Sequence, residues 1–226
     1  MSDTARPFIY DPPTEPLRVV HVDADLLVAD KPSGLLTVPG KAAEHGDCLE
    51  ARVQAAYPGA AIVHRLDMDT SGLVVMARTR AAHRHLGQQF EKRRVAKTYI
   101  ARVWGALSAE AGTVEAPILC DWPNRPKQMV DFARGRAALT DWRVLQREVL
   151  PGGASVSRVE MFPRTGRSHQ LRVHMLSLGH PILGDNFYAH SQAFEAAPRL
   201  QLHAERLGFR HPKGGEVCAF VSPCPF

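Results

Sequence analysis

The groups in this chain best placed to do covalent chemistry unaided are two carboxylates, Asp67 and Asp69. They sit in a polar insert that runs His64, Arg65, Leu66, Asp67, Met68, Asp69, Thr70, Ser71, Gly72. Short apolar, β-branched runs flank the insert within residues 61–78. Such runs read as buried strands, and the insert reads as the loop they hold. A loop anchored on both sides can fix one carboxylate in place. The same composition also makes an ordinary turn, in which Asp67 or Asp69 caps the backbone beside Thr70 and Ser71. Two further stretches aim polar groups in a defined direction. In residues 95–104 a strand period of two sets Lys97, Tyr99 and Ala101 on one face. Within residues 163–188, Ser168 is expected to cap a helix whose Leu171, Met175 and Leu178 share a buried stripe, while His169 and Arg172 share another face. On these grounds alone Tyr99 also fits a core tyrosine with a bonded hydroxyl. Arg172 also fits a structural salt bridge, and His174, beside the stripe, reads as a satisfied core histidine.

The elements that must carry these residues can be read in order. Residues 1–16 hold four prolines and little periodicity, which predicts a tail over a single domain of residues 17–226. Residues 17–22 and 26–30 read as a hairpin across Asp23, Ala24 and Asp25, followed by a loop punctuated by Pro32, Gly34, Pro39 and Gly40. Asp47 is expected to cap a helix over 48–57, ended by Pro58 and Gly59. Thr79 is expected to cap another over 80–92, with Ala82, Leu86 and Phe90 inward and Arg80, His83 and Arg84 outward. Residues 120–130 read as a loop that presents Trp122, Arg125 and Lys127. An aromatic among cations suits an RNA surface, and a Pro-rich surface crossover is the plainer reading. Residues 137–146 and 154–162 alternate as a long antiparallel pair across Pro151, Gly152 and Gly153, and 200–209 with 216–221 supply closing strands.

Three of these stretches resemble the motifs of the RluA family of pseudouridine synthases. HRLDMDTSGL resembles that family's HRLDxxTSG, with every fixed position matched, and Lys97 with Tyr99 resembles its KxY element. GRSHQLRVH followed by GHPILGDNFY resembles its third motif, GRxHQLRxH then GHPIxGDxxY. The opening KPSGLLTVPG and the closing RLQLHA are similar to the family's outer elements, with Asp30 a small departure before Lys31. The resemblance spans residues 17–221 and implies an α+β fold with a mixed, mainly antiparallel central sheet flanked by helices and loops. It implies that Asp67 is the catalytic nucleophile, that Tyr99 stacks on the target uracil and serves as base toward C5, and that Arg172 is the ion-pair partner of Asp67. An Arg at that distance holds a carboxylate ionised, with a planar fork that Lys lacks. His64, Arg65, Lys97, Arg167 and His169 are then candidates for placing substrate, as are Arg93, Arg94, Trp122, Arg125 and Lys127 for holding RNA. Residues 120–130 resemble the dual-specificity branch of the family most closely, which implies 23S ribosomal RNA and tRNA anticodon stem-loops as partners. No S4-type appendage is expected, because the catalytic pattern starts near residue 17.

Composition narrows the rest. With 226 residues and 45% hydrophobic content the chain can bury a full core. No apolar run approaches the roughly 18 residues of a membrane span, and the first residues lack a secretory pattern, so a cytoplasmic monomer is expected. Cys48, Cys120, Cys218 and Cys224 are scattered without metal or disulfide spacing, so no metal and no cofactor is expected. The net charge of +5 is unevenly spread: residues 78–97 carry seven Lys/Arg against Glu91 alone. That excess suits a polyanion such as RNA or, more plainly, a solvated helix face. Two other functional classes remain open: a catalytically silent RNA-binding or chaperone protein on the same fold, and a glycoside hydrolase that uses Asp69 as second carboxylate.

Overall fold

The computed structural model describes residues 10–226. Twelve strands form, in chain order, β1 (Arg18–Val22), β2 (Leu26–Lys31), β3 (Ala61–Ile62), β4 (Ser71–Ala77), β5 (Ala96–Trp104), β6 (Ala111–Glu115), β7 (Ile118–Cys120), β8 (Gln128–Val130), β9 (Leu139–Val149), β10 (Ser155–Pro163), β11 (Leu202–Arg210) and β12 (Val217–Val221). Four α-helices accompany them: α1 (Leu49–Ala56), α2 (Arg80–Glu91), α3 (Gln170–Ser177) and α4 (Ser191–Glu195). Ten strands make one sheet in the order β1-β2-β4-β11-β5-β10-β9-β6, with β12 beside β11 and β3 beside β4. Every pairing but one is antiparallel, as expected for this α+β fold; the exception is β4 with β11, in the register His203 opposite Ser71 and Ala204 opposite Gly72.

That parallel junction explains a glycine. Gly72 has φ +113°, and a Cβ there would lie 2.3 Å from the Ala204 carbonyl oxygen, so only glycine lets the two strands touch just after the polar insert. β4 is buried along its whole length, with Leu73, Val75 and Ala77 facing one apolar cluster and Val74 and Met76 another. A strand covered on both sides explains its unbroken apolar run.

The helix ends depart from the expected caps. α1 starts at Leu49 with Cys48 as cap, its Sγ accepting from the Ala51 N–H, while the Asp47 carboxylate accepts both donors of the Arg52 fork at 2.7 Å. The bidentate pair takes both oxygens of Asp47 away from the helix end. α2 is capped by Thr79 as read, with Ala82 and Leu86 buried. α3 is not capped by Ser168: His169 occupies the cap position in the left-handed region at φ +53°, with no side-chain cap bond. Residues 170–175 of α3 are all buried, so the helix has no single apolar stripe, and Leu178 falls past its end, 38% exposed. Residues 120–130 are more than a loop, because β7 and β8 pair as a separate two-stranded hairpin. Of the tail, residues 1–9 lie outside the described residues; Tyr10 donates to the Asp47 carbonyl and Arg52 to that of Pro13.

Candidate active site

The insert between β3 and β4 is held from below by the segment after β2. Lys31 is wholly buried, and its Nζ donates to the carbonyls of Met68 (2.7 Å), Leu35 (2.8 Å) and Pro32 (2.9 Å). The Gly34 N–H donates to the same Met68 carbonyl, Ser33 Oγ to that of Asp69, and Thr37 Oγ1 to that of Leu66. Thr70 N–H closes the turn on the Asp67 carbonyl. Burial depresses the Lys31 ammonium to about 7, against the attraction of Asp69 and Asp67. Ser71, first in β4, bonds to His203 Nδ1 at 2.9 Å and accepts from Arg199. The loop after β2 and the insert before β4 are thus one structural unit that fixes the backbone around residue 67.

From that loop the Asp67 carboxylate reaches a cleft, its side chain 30% exposed, with Arg172 Nη1 3.8 Å from Oδ2. Arg172 arrives from α3, wholly enclosed. Its stronger partner is Asp185, which accepts from Nε at 2.8 Å and from Nη2 at 2.6 Å, while Asn186 Oδ1 accepts at 3.1 Å. Phe187 and Tyr188 each place a ring 5.1 Å from the guanidinium carbon. So Arg172 is anchored by one carboxylate and offers its remaining edge to the other. Tyr99 enters from β5 beneath the cleft; burial pushes its hydroxyl well above the ordinary tyrosine range, and the charge of Asp67 pushes further. Burial alone holds it as a neutral phenol. Asp69 also faces the cleft, its carboxyl raised by burial against the pull of Arg172 and Lys31.

The cleft encloses about 2070 Å³ and is lined by Arg65, Arg93, Arg94, Lys97, Arg125, Arg136, Arg164, Arg167 and Arg172, against Asp67, Asp69 and Glu91. Partial burial and the nearby charges of Arg136 and Arg93 lower the pKa of Arg167, the mark of cations gathered without enough anions. Arg65 is exposed beside Asp67. His64 lines the same wall, but its Nε2 accepts from the Val75 N–H at 3.1 Å and its ring stacks on Phe90, so burial, with Lys97 nearby, drives it down to about 3 and keeps it neutral. His169 is on the rim, its Nδ1 2.7 Å from the Tyr188 hydroxyl. Arg125 stacks over Trp122 at 4.7 Å on the β7–β8 hairpin, where Trp122 is 65% exposed. Trp122 and Lys127 stand outside the lining of the cleft that Arg125 joins. His174 is the core histidine expected, bonded to Thr140 and to the Ala116 carbonyl.

Sequence reasoning passed over Lys31, Asp185, Tyr188 and Arg136. The first three stand inside stretches already singled out, and their signal was a lysine and an aspartate placed next to turn residues within apolar runs. No group of described residues gathers the ligands of a metal ion, and no described helix is long and apolar enough to cross a membrane.

A carboxylate, a partly buried tyrosine and a caged guanidinium at the floor of a cation-lined cleft, on a mixed sheet, fit a class of enzyme that works on nucleic acid. Residues 25–177 match the family model described as RNA pseudouridylate synthase, and the chain belongs to that family. It is 51% identical over 218 residues to the "Dual-specificity RNA pseudouridine synthase RluA" of Escherichia coli (strain K12), covering 96% of this chain and 98% of that protein. The Vibrio vulnificus protein of the same name is 48% identical, over 96% of this chain and 87% of its own length. Among solved structures, "Human RNA Pseudouridylate Synthase Domain Containing 1" superposes with a TM-score of 0.80 at 30% identity, covering 96% of this chain and 87% of that one. "Human RNA Pseudouridylate Synthase Domain Containing 4" gives 0.73 at 26%, over 92% and 88%.

Proposed function

We propose that this single catalytic domain isomerises uridine to pseudouridine in structured RNA, with Asp67 as nucleophile, Tyr99 under the base and Arg172 orienting the carboxylate. The observation that carries the reading is the convergence of these three groups on one cation-lined cleft. The isomerisation breaks the glycosidic C–N bond, turns the uracil over and joins C5 to the same ribose carbon, so it needs neither redox chemistry nor an added group. Asp67 engages that carbon by direct attack or by an equivalent glycal route, and both require an ionised carboxylate open to the sugar. Tyr99 begins as a phenol, with its face available for stacking. To act as base toward the C5 proton after the new C–C bond forms, Tyr99 has to have given up its own proton first, against the burial that holds it.

A uridine in a stem-loop must leave its stack to reach Asp67, at an unstacking cost of a few kcal/mol. Arg65, exposed next to the nucleophile, takes the vacated place. Arg93, Arg94, Lys97 and Arg167 hold flanking phosphates, His64 and His169 shape the pocket walls, and Trp122, Arg125 and Lys127 extend the surface along the hairpin. The dual specificity in the name shared by relatives about half identical over nearly their whole length supports action on more than one RNA; by motif resemblance these are a hairpin of 23S ribosomal RNA and the anticodon stem-loop of tRNA, acted on by a cytoplasmic monomer.

The test is Asp67→Asn, assayed on an RNA stem-loop transcript and in a deletion strain whose total RNA is mapped for pseudouridine. The variant is expected to bind RNA within about twofold of the native protein and to make no pseudouridine. Pseudouridine formed by the variant overturns the assignment, full complementation by it marks a silent RNA-binding protein, and release of free uracil by the native protein in place of pseudouridine marks a hydrolase with Asp69 as second carboxylate.

A further inference from the structure

We propose that Tyr188 is a positioning residue that couples RNA held on the β7–β8 hairpin to the Arg172–Asp67 pair; this rests on Arg172 serving as the partner of Asp67. The hairpin stands apart from the main sheet. Its tip carries the exposed Trp122 with Arg125 stacked on it, and its base packs through Ile118 and Val130 in a small cluster with Val173 of α3 and Tyr188. α3 also carries Arg172.

The Tyr188 hydroxyl is a node between these parts. It accepts from the Gln128 N–H of β8 at 2.7 Å and shares a hydrogen bond of 2.7 Å with His169 Nδ1. One face of its ring covers the Arg172 guanidinium at 5.1 Å. A buried tyrosine needs one partner for its hydroxyl. This one joins three separate elements: the hairpin, the left-handed turn at His169 that starts α3, and the loop after Asp185 that clamps the guanidinium. His169 itself holds a conformation that costs a non-glycine residue free energy, and such positions persist only where neighbours over-determine them.

The arrangement has a consequence for the reacting pair. Asp185 grips Nε and Nη2, leaving Nη1 directed at Asp67 across 3.8 Å, about 1 Å beyond a charge-assisted hydrogen bond. RNA that seats on Trp122 and Arg125 loads the hairpin, and the Gln128–Tyr188 bond passes that load to the ring resting on Arg172. Closing the last ångström is therefore tied to occupancy of the hairpin, which makes turnover depend on more of the RNA than the flipped uridine.

A double-mutant cycle on the turnover of a stem-loop transcript tests this, with Trp122→Ala and Tyr188→Phe measured singly and together at saturating RNA. Phenylalanine keeps the ring over Arg172 and removes both hydrogen bonds. Each single variant is expected to lower kcat about tenfold, and the double variant to lose no more than either. A structural tyrosine gives independent losses that multiply to about a hundredfold, and that result overturns the coupling while leaving the proposed reaction intact. Loss of pseudouridine formation in the native protein is the separate failure of the reaction itself. Should Tyr188→Phe not fold, Gln128→Pro removes the N–H donor to Tyr188, which faces away from β7, together with the side-chain bond to the Pro126 carbonyl; Gln128→Ala removes only the latter and serves as its reference in the same cycle. Losses confined to KM for RNA, with kcat unchanged in the Tyr188 or Gln128 variant, also overturn the proposal.

Discussion

Asp185→Asn isolates the part of the site that sequence spacing did not assign. In the native chain the Arg172 side chain is 2% exposed and the Asp185 side chain 0%, and they meet through two short bonds, Nε to Oδ2 at 2.8 Å and Nη2 to Oδ1 at 2.6 Å. Asn has nearly the same shape. Its Oδ1 can still accept from the Phe187 and Tyr188 N–H groups, as Asp185 does at 2.9 and 3.1 Å. Its amide, however, turns a donor toward Nε, and the buried guanidinium loses the charge that compensates it. Breaking one side of a buried pair costs about 3–5 kcal/mol. For a chain of this size each kcal/mol moves Tm by about 2–4 °C, so a fall of about 6–20 °C is expected. The denaturant midpoint should fall with m unchanged. Turnover should also fall, because the freed fork now competes for both oxygens of Asp67, the nearest remaining carboxylate. Urea melts and single-turnover pseudouridine assays measure the two effects. A destabilisation under about 1 kcal/mol refutes the reasoning. So does a double variant, Arg172→Met with Asp185→Leu, that is less stable than Asp185→Asn, because an apolar pair should replace a buried ion pair more cheaply than half of one.

Other outcomes follow from single features. Gly72→Ala should prevent folding or lower stability by more than about 4 kcal/mol, read by thermal melting, because the strained φ and the clash with Ala204 add. Lys31 is depressed to about 7 in the folded chain from 10.5, so between those pH values the unfolded chain holds the extra proton and stability rises with pH. The slope is up to about 1.4 kcal/mol per pH unit, and below pH 7 the burial penalty is borne in full. Lys31→Met should remove that rise, seen as the difference between native and variant unfolding free energies at pH 7, 8 and 9. Arg93→Gln with Arg94→Gln should flatten the dependence of log binding constant on log salt by about 1.4, at about 0.7 per lost single-strand phosphate contact. An unchanged slope places the RNA elsewhere.

How far the sequence reached depended on how local each cause was. Thr79 caps α2 as read, since cap and helix lie side by side and nothing distant competes. Asp47 failed as a cap because Arg52 claims both its oxygens, and Ser168 failed because the chain turns left-handed at His169, held there by Tyr188 from 19 residues on. The stripe expected on α3 does not exist, since a helix covered on all sides has no periodicity to read. That Asp67, Tyr99 and Arg172 share one cleft was legible through motif resemblance. The cage around Arg172 was not, because Asp185, Asn186, Phe187 and Tyr188 reach it only after the chain has folded back past α3.

That cage also bears on the nucleophilic role proposed for the acid beside it. A carboxylate gripped by both arms of a guanidinium has its lone pairs engaged and its approach to a sugar carbon blocked. Here the grip goes to Asp185, which is wholly buried and takes two further backbone donors, so it has no lone pair to offer a substrate. Asp67 meets only the spare Nη1 edge, 3.8 Å from Oδ2, so its other oxygen stays open to the cleft even when that edge closes. Lys31 completes the division of labour by gripping carbonyls of the loop instead of either carboxylate. Two acids share one cation. The one that is enclosed holds the cation in place, and the one that faces the cleft is left open for the attack proposed for it.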